Sequence, residues 1–140
     1  MIPLKVKRLE ESAILPSKNN STDAGFDLYT TEEYYLKSGE AKLFSTGIAC
    51  KIAEGFCALL WDRSGLGSKG LHRLAGVIDC SYRGEWKVCL INLSGMTYHV
   101  MQGDRICQAI IQKVEPFEVQ EVSELDDSSR GEQGFGSSGR

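Results

Sequence analysis

The sequence is poor in the residues that build metal centres and nucleophilic triads. It has only two histidines, His72 and His99, which are far apart along the chain. Its five cysteines are odd in number, lie mostly in apolar stretches, and show neither a Cys-x-x-Cys pair nor a cysteine–histidine spacing typical of zinc. We therefore expect structural histidines and reduced core cysteines rather than a zinc site or a Ser-His-Asp triad.

Long apolar runs are also missing. No stretch approaches the ~20 residues needed to cross a bilayer, and the N-terminal "MIPLKVKRLEES" alternates apolar and charged residues instead of placing a basic region before an apolar one. The net charge of -3 gives no reason to expect nucleic acid or an anionic membrane as a partner. The sequence thus indicates a cytoplasmic protein, or one that also enters the nucleus if its source is eukaryotic.

The chain of 140 residues is long enough for one domain with a hydrophobic core. Apolar residues repeat with a period of two in short segments separated by glycines, which is typical of a β-sandwich or barrel and leaves little room for helices. The one helical candidate is a stretch near 64–69, with Ser64 as its N-cap. The predicted inward positions are Ile2, Leu4 and Val6; Ile48, Cys50 and Ile52; Phe56, Ala58 and Leu60; Trp86, Val88 and Leu90; Ile106, Gln108 and Ile110; and the aromatic rings of Tyr34, Tyr35 and Phe44.

The apolar pattern stops near Asp126. This change predicts a packed domain over residues 1–125 and a flexible C-terminal arm over residues 126–140. The arm ends in "SSRGEQGFGSSGR", which has the composition of a solvated linker but carries Arg130 and Phe135. It is either a plain tail or a segment that becomes ordered only over a ligand.

The string "GLGSKG" at 65–70 matches the Gly-x-Gly-x-x-Gly pattern of dinucleotide-binding folds. That pattern requires a long helix after the glycines, whereas strand and turn residues follow here, so a dinucleotide site is excluded. Arg63, Ser64 and the free backbone amides of a short helix start remain, and these groups can bind phosphate. The alternative is a capped turn with a surface arginine.

The string "GVIDCSYRGEW" predicts a hairpin whose mouth carries Asp79 and Tyr82. Either Asp79 acts on a ligand or it caps its own turn, as aspartates often do. In "DAGFDL" the two aspartates Asp23 and Asp27 are also open to both interpretations. The turn "GDRI" is expected to hold a hairpin through Asp104.

These strings occur in a fixed order along the chain: "DAGFDL", "RSGLGSKG", "GVIDCSYRG", "GDRICQ" and "RGEQGFGSSG". In this order they resemble the five motifs of the trimeric deoxyuridine triphosphatase (dUTPase) family. The resemblance implies an all-β, distorted jelly-roll-like fold with one short helix, assembled as a homotrimer with an exchanged C-terminal arm. It also implies a magnesium-dependent hydrolase that converts dUTP to dUMP and pyrophosphate, which limits uracil incorporation into DNA and supplies dUMP for dTMP synthesis.

The same resemblance assigns roles to residues. Asp79 matches the general base that activates water for attack on the α phosphorus, and Tyr82 matches the ring that packs under the deoxyribose. Uracil is expected to pair with main-chain groups around Gly76 and Lys87. Residues matched to phosphate contacts are Arg63, Ser64, Gly65 and Gln108 in the domain, and Arg130, Gly136 and Ser137 in the arm, where Phe135 matches the residue that stacks on uracil.

Magnesium is expected to bind mainly to substrate phosphate oxygens and water, since this ion rarely uses an all-protein cage. Asp27 matches an acid that contacts metal-bound water or a basic partner, and an architectural role is equally open. The chain departs from the common family pattern at Phe26, Asp62, Arg73, Ser81 and Gln133. Two rival functions are deoxycytidine triphosphate deamination, for which no matching glutamate-centred segment is present, and a silent or moonlighting nucleotide-binding module.

Overall fold

Short strands dominate residues 1–139, the part of the chain that the computed structural model describes. The last residue of the predicted arm, Arg140, lies outside these described residues. The expected all-β architecture with one short helix is confirmed. The elements are β1 (Lys5–Arg8), β2 (Phe26–Tyr29), β3 (Tyr34–Leu36), β4 (Ala41–Phe44), β5 (Ile48–Lys51), β6 (Phe56–Trp61), α1 (Ser64–Gly67), β7 (Leu71–Arg73), β8 (Val77–Asp79), β9 (Val88–Asn92), β10 (Tyr98–Val100) and β11 (Arg105–Lys113).

The strands pair antiparallel in four small sheets. The largest has the order β2-β11-β6-β8, the second has the order β4-β9-β7, and two-stranded sheets join β1 to β5 and β10 to β3. Most neighbours in these sheets are distant in sequence, so the turns alone do not determine which strands pair. Burial of apolar faces against one another determines it.

One core joins the sheets. Trp86 and Phe44 are its largest side chains, with 1% and 0% of their surfaces exposed. Burying each such side chain stabilises the fold by roughly 1.5–3 kcal/mol relative to leaving it exposed. The inward placement of Ile2 was wrong, because 65% of its surface is exposed. The placement of Tyr35 in the core was also wrong, because 62% of its surface is exposed. It stacks instead on His99, with ring centroids 4.1 Å apart and planes 5° from parallel.

The inward face of β11 differs from the predicted one. Cys107 and Ala109 are buried, whereas Gln108 and Ile110 are only partly buried. The pairing of β11 with β2 shifts register between Arg105 and Cys107. A shift of one residue reverses the face on which the following side chains lie, which is why the simple period-two pattern failed at this point.

The helix α1 begins one residue differently from the prediction. Its N-cap is Arg63, with φ -82° and ψ 134°, and Ser64 is the first helical residue. The Arg63 carbonyl accepts hydrogen bonds from the N–H groups of Leu66 and Gly67. The Ser64 hydroxyl is therefore not the cap, and among the described residues no side chain caps this helix.

The segment around Asp79 also differs from the predicted hairpin. The strand β8 pairs with β6, whereas β9 pairs with β4 and β7. The two strands that flank the Tyr82 turn therefore belong to different sheets. The turn crosses from one sheet to the other and leaves a gap between them.

The last strand ends at Lys113, and residues 115–139 are exposed except for a partly covered Gly134. Phe117, Val119 and Leu125 expose 91%, 98% and 88% of their surfaces. These apolar side chains, which lie before the predicted domain boundary, thus fall outside the core of their own chain. Within residues 1–139 the helical element α1 has four residues, and none of this part of the chain forms a helix able to cross a membrane.

The cysteines are free thiols, and Cys50, Cys57 and Cys107 are buried. Burial raises the pKa of Cys50 and of Cys107 to about 12 in each case. Both thiols should therefore resist iodoacetamide at pH 8 in the native protein, because the thiolate is the reactive form. Peptide mass spectrometry should find them alkylated only after denaturation in urea. Native labelling of Cys107 at the denatured rate would contradict this burial.

Candidate active site

Two pockets contain most of the residues singled out in the sequence. The first, here called the apolar pocket, lies beside the turn between β8 and β9 and has a volume of about 450 Å³. It contains the predicted residues Asp79, Tyr82, Gly76 and Lys87. Its lining residues are Leu43, Leu60, Leu74, Ala75, Gly76, Val77, Ile78, Asp79, Tyr82, Glu85, Trp86, Lys87 and Cys89.

Asp79 is the last residue of β8 and lies opposite Cys57 of β6. Its backbone carbonyl closes the next turn by accepting a hydrogen bond of 3.1 Å from the Tyr82 N–H. Its carboxylate lines the pocket and receives no hydrogen bond from any residue of 1–139. Turn capping by this carboxylate is therefore wrong, and the side chain is available to a ligand.

Tyr82 has a defined orientation although 47% of its surface is exposed. Its hydroxyl donates a hydrogen bond of 3.1 Å to the backbone carbonyl of Glu85. The ring lies against Gly84 so closely that a β-carbon there would overlap the tyrosine hydroxyl. The absence of a side chain at Gly84 thus lets the ring lie along the turn.

Two glutamates hold the loop behind the apolar pocket, which joins β4 to β5 and contains Ser45 and Gly47. The Glu85 carboxylate accepts the Gly47 N–H at 2.9 Å, and the Glu32 carboxylate accepts the Ser45 N–H at 2.6 Å. Partial burial acts to raise the pKa of Glu32, but the Ser45 N–H and the ammonium of Lys42 outweigh burial and lower it. The loop is therefore held by two charge-assisted hydrogen bonds.

The second site, here called the polar pocket, has a volume of about 530 Å³. Arg63 donates from Nε to Asp27 Oδ1 at 2.8 Å, and Arg105 approaches Asp27 Oδ2 at 3.4 Å. The structure thus gives Asp27 basic partners, one of the alternatives that the sequence left open. The lining residues are Asn19, Asp23, Gly25, Asp27, Arg63, Ser64, Gly65, Arg105 and Gln108.

Gln108 is positioned in the polar pocket by two contacts. Its side-chain Nε2 donates to the Asp62 carbonyl at 2.8 Å. Its Oε1 lies 2.5 Å from the point where a β-carbon of Gly25 would stand, so only glycine fits beside it. Two guanidinium groups, an amide and a hydroxyl therefore converge on an open cavity, which suits an oxyanion such as phosphate.

The acids of this pocket do not form a metal cage. Asp23 accepts the Asn20 N–H at 2.8 Å and acts as a turn former, while both oxygens of Asp27 face arginines. Residues 1–139 contain no group of three or more His, Cys, Asp or Glu side chains able to hold a metal ion. The donor set fits a divalent ion that is bound chiefly by the phosphates of a ligand.

The two pockets are separated within one chain, and no described residue lines both. Asp79 lies opposite Cys57, and Arg63 is six residues further along the same extended segment. The strand part of this offset ends at Trp61, and Arg63 is itself extended, so at about 3.3 Å per residue the segment spans up to about 20 Å. A phosphate bound by Arg63 is therefore out of reach of the Asp79 carboxylate of the same chain.

The predicted arm residues contact neither pocket. Arg130 donates from Nε to the Gln133 carbonyl at 2.8 Å, and the Gly134 carbonyl accepts the Ser137 N–H at 3.1 Å. Phe135 is fully exposed and has a φ of 49°, and the next residue, Gly136, has a φ of 93°. The arm thus forms local turns in the single chain, with its aromatic ring in solvent.

Several pocket residues were not singled out as functional by the sequence. Arg105 was assigned only to a turn. Asp104 does hold that turn, because its carboxylate accepts the Met101 N–H at 2.9 Å. The expected hairpin was wrong, because β10 pairs with β3 and β11 pairs with β2 and β6. Leu43 and Glu85 carried no signal, because their pocket is formed by pairing between distant segments. Gly25 carried a weak one, as a glycine between two acids.

Comparisons with known proteins agree on one family. A model of the dUTPase family matches residues 11–139. A deoxyuridine 5'-triphosphate nucleotidohydrolase of Nautilia profundicola is 44% identical over 98% of this chain and 99% of its own length. The protein of the same name from Corynebacterium glutamicum is 42% identical, with 98% of this chain and 95% of its own length covered.

Solved structures agree as well. A mutant dUTPase of Staphylococcus bacteriophage 80alpha, described with dUpNHpp, superposes with a TM-score of 0.91 at 31% identity over the full length of both chains. A mutant dUTPase from phage phi11 of S. aureus, described with a structural Mg(II) ion, gives a TM-score of 0.81 at 28% identity over 89% of this chain and 99% of its own. With its jelly-roll-like β fold and these relatives, the chain belongs to the dUTPase family of dUTP diphosphatases.

Proposed function

We propose that this protein hydrolyses dUTP to dUMP and pyrophosphate at a site assembled from both pockets. The observation that carries the proposal is the Asp79 carboxylate, which lines a pocket large enough for a nucleoside and is not hydrogen-bonded within residues 1–139. A carboxylate in this state is available to orient a water molecule. The similar phage enzyme described with dUpNHpp, an imido analogue of dUTP, supports the same substrate.

The active unit is a homotrimer in which different copies supply the two pockets. This assembly is supported by the separation of up to about 20 Å between Asp79 and Arg63 along a single chain. One copy binds the nucleoside in its apolar pocket, and a second copy presents its polar pocket to the phosphates. A cyclic trimer repeats this contact three times and closes.

The chemistry is a single displacement at the α phosphorus. The oxygen of the attacking water bonds to the α phosphorus while Asp79 accepts a proton from that water. The bond between the α phosphorus and the bridging oxygen then breaks, and pyrophosphate leaves. Arg63, Ser64, Gly65 and Gln108 stabilise the charge on the phosphates. Magnesium would be held chiefly by the substrate phosphates, with Asp27 as a contact through water, and would supply further neutralisation of the phosphate charge. The reaction needs no covalent enzyme intermediate, which agrees with the raised pKa values of the buried thiols Cys50 and Cys107.

Selectivity for the nucleoside comes from the apolar pocket. Uracil pairs with main-chain groups around Gly76 and Lys87, and cytosine is rejected because its amino group presents a donor where uracil has an acceptor. The Tyr82 ring packs under the deoxyribose and leaves no space for a 2'-hydroxyl. This role is supported by the position of Tyr82 in the wall of the same pocket as Asp79.

The C-terminal arm, residues 126–140, closes over the bound nucleotide. Phe135 stacks on uracil, and Arg130, Gly136 and Ser137 contact the terminal phosphate. Full exposure of Phe135 and the positive φ of Gly136 in the single chain support a segment that becomes ordered only when substrate supplies contacts. Ordering costs conformational entropy, which binding of the triphosphate offsets.

The segment before the arm packs on a neighbouring copy. Phe117, Val119 and Leu125 are 88–98% exposed in the single chain, which is unfavourable unless a partner covers them. The same segment, residues 114–125, contains four acids and no base. A groove lined by Lys5, Lys7, Lys51 and Arg83 has the complementary charge.

Pyrophosphate release from dUTP, dCTP, dTTP and UTP tests the proposed activity. We expect turnover of dUTP alone, and a large loss of turnover when magnesium is removed. Asp79→Asn should bind dUTP normally but lose at least about a hundredfold in kcat, since general base catalysis contributes about 10²–10⁴-fold. Equal turnover of dCTP, no turnover of any nucleotide, or full activity of Asp79→Asn would contradict the proposal.

Truncation tests the arm. Removing residues 130–140 should leave the unfolding temperature and the sedimentation coefficient unchanged, because these side chains do not pack on the core of their own chain. The same truncation should lower kcat/KM for dUTP by at least about tenfold, since contacts of the arm are made only with bound nucleotide. A truncated enzyme with full activity would show that the arm does not participate.

A further inference from the structure

Glu85 connects the Tyr82 turn to the loop between β4 and β5. Its carboxylate Oε1 accepts the N–H of Gly47 at 2.9 Å, and its other oxygen lies 3.6 Å from the ammonium of Lys87. Its backbone carbonyl accepts the Tyr82 hydroxyl at 3.1 Å. One residue therefore contacts the loop behind the pocket, the ring in its wall, and a lysine in its lining.

The Glu85 carboxylate is the hydrogen-bond acceptor of the Gly47 N–H. Gly47 is buried, and its φ of 67° is a left-handed conformation that glycine adopts freely. A side chain at this position would overlap Glu10 and Ala13, so the loop cannot easily move to find another acceptor. Removing the Glu85 carboxylate would leave a buried N–H unpaired, which favours rearrangement of the loop or the turn.

The far side of the turn is held independently. The Trp86 N–H donates to the Ile48 carbonyl at 2.8 Å, the Trp86 carbonyl accepts the Thr46 hydroxyl, and the Trp86 ring is 1% exposed. The turn is thus anchored at Trp86 whether or not Glu85 is present. The Glu85 carboxylate adds a second contact on the Tyr82 side of this anchor.

We propose that Glu85 is a positioning residue that sets the preference for deoxyribose over ribose by holding the Tyr82 ring in place. The proposal rests on the proposed function, in which that ring excludes the 2'-hydroxyl. The Tyr82 ring can exclude a 2'-hydroxyl only if it does not move aside when a ribose binds. The hydroxyl of Tyr82 is held by the Glu85 carbonyl. The backbone of Glu85 is held by its bridge with Ala49 and, in addition, by its own carboxylate on Gly47. Gly84 leaves room for the ring to lie along the turn.

The test compares kcat/KM for dUTP and UTP, together with the inhibition constants of dUMP and UMP, in three variants of Glu85. Glu85→Ala removes the tie to Gly47, and Glu85→Asp shortens the side chain by one methylene so that it no longer reaches. Both should lower the dUTP/UTP ratio by roughly tenfold, the effect expected from losing a hydrogen bond to a charged group. Glu85→Gln keeps an oxygen acceptor for Gly47 and should retain most of the ratio.

Glu32→Ala is the matched control. Glu32 also accepts a backbone N–H of the same loop, from Ser45, and also pairs with a lysine, Lys42, but it does not line the apolar pocket. The Glu32→Ala variant should lower the unfolding temperature about as much as Glu85→Ala does, while leaving the ratio of kcat/KM for dUTP and UTP unchanged. This comparison separates positioning of the ring from general stabilisation.

A double-mutant cycle with Tyr82→Phe tests whether Glu85 acts through the tyrosine hydroxyl. In the Tyr82→Phe background, Glu85→Ala should change the ratio much less than in the wild type. The proposal is overturned if Glu85→Ala and Glu85→Asp leave the ratio unchanged, if Glu85→Gln loses as much as they do, or if the two substitutions are additive. Should Glu85→Ala fail to fold, the aspartate variant decides. Hydrolysis of dUTP by the wild type in the same assay distinguishes failure of this inference from failure of the proposed function.

Discussion

The antiparallel pairing of β8 with β6 is the constraint on which the proposed site depends. It places Asp79 opposite Cys57, while the same segment continues from β6 through Asp62 to Arg63. Because a strand rises about 3.3 Å per residue, Asp79 and Arg63 stand at separate pockets of one chain. In the proposed function a single chain holds two half-sites, and catalysis then requires association of copies.

The separation of the two pockets also keeps Asp79 and Arg63 of one chain from pairing with each other. Arg63 would pair with the carboxylate nearest to it, and in its own chain that partner is Asp27, at 2.8 Å. Asp79 is left without an ion pair within residues 1–139, in a pocket whose walls are mostly apolar. In the proposed mechanism Asp79 and Arg63 thus stay apart until a nucleotide bridges them, so the substrate does not have to break an existing ion pair between them.

Local patterns in the sequence predicted short strands, the brief helix and some pocket residues, namely Arg63, Ser64, Asp79 and Tyr82, because turn glycines, period-two burial and phosphate-binding groups are local signals. Features that depend on pairing between distant segments were not predictable. The register shift between Arg105 and Cys107 reversed the buried face of β11, and Tyr35 lies outside because its strand has an exposed face. The contact of Glu85 with Gly47 joins positions 38 residues apart, and no local pattern indicates it.

Subunit complementation tests the shared site most directly. Asp79→Asn and Arg63→Ala chains, each inactive alone, are co-expressed with different tags, and trimers carrying both tags are purified and assayed with dUTP. Mixed trimers should regain activity, because one copy supplies an intact Asp79 and its neighbour an intact Arg63. A matched pair, Asp79→Asn with Tyr82→Ala, should stay inactive because both changes lie in the same pocket. Mixed Asp79→Asn and Arg63→Ala trimers that form but remain as inactive as their parents would contradict a site divided between copies.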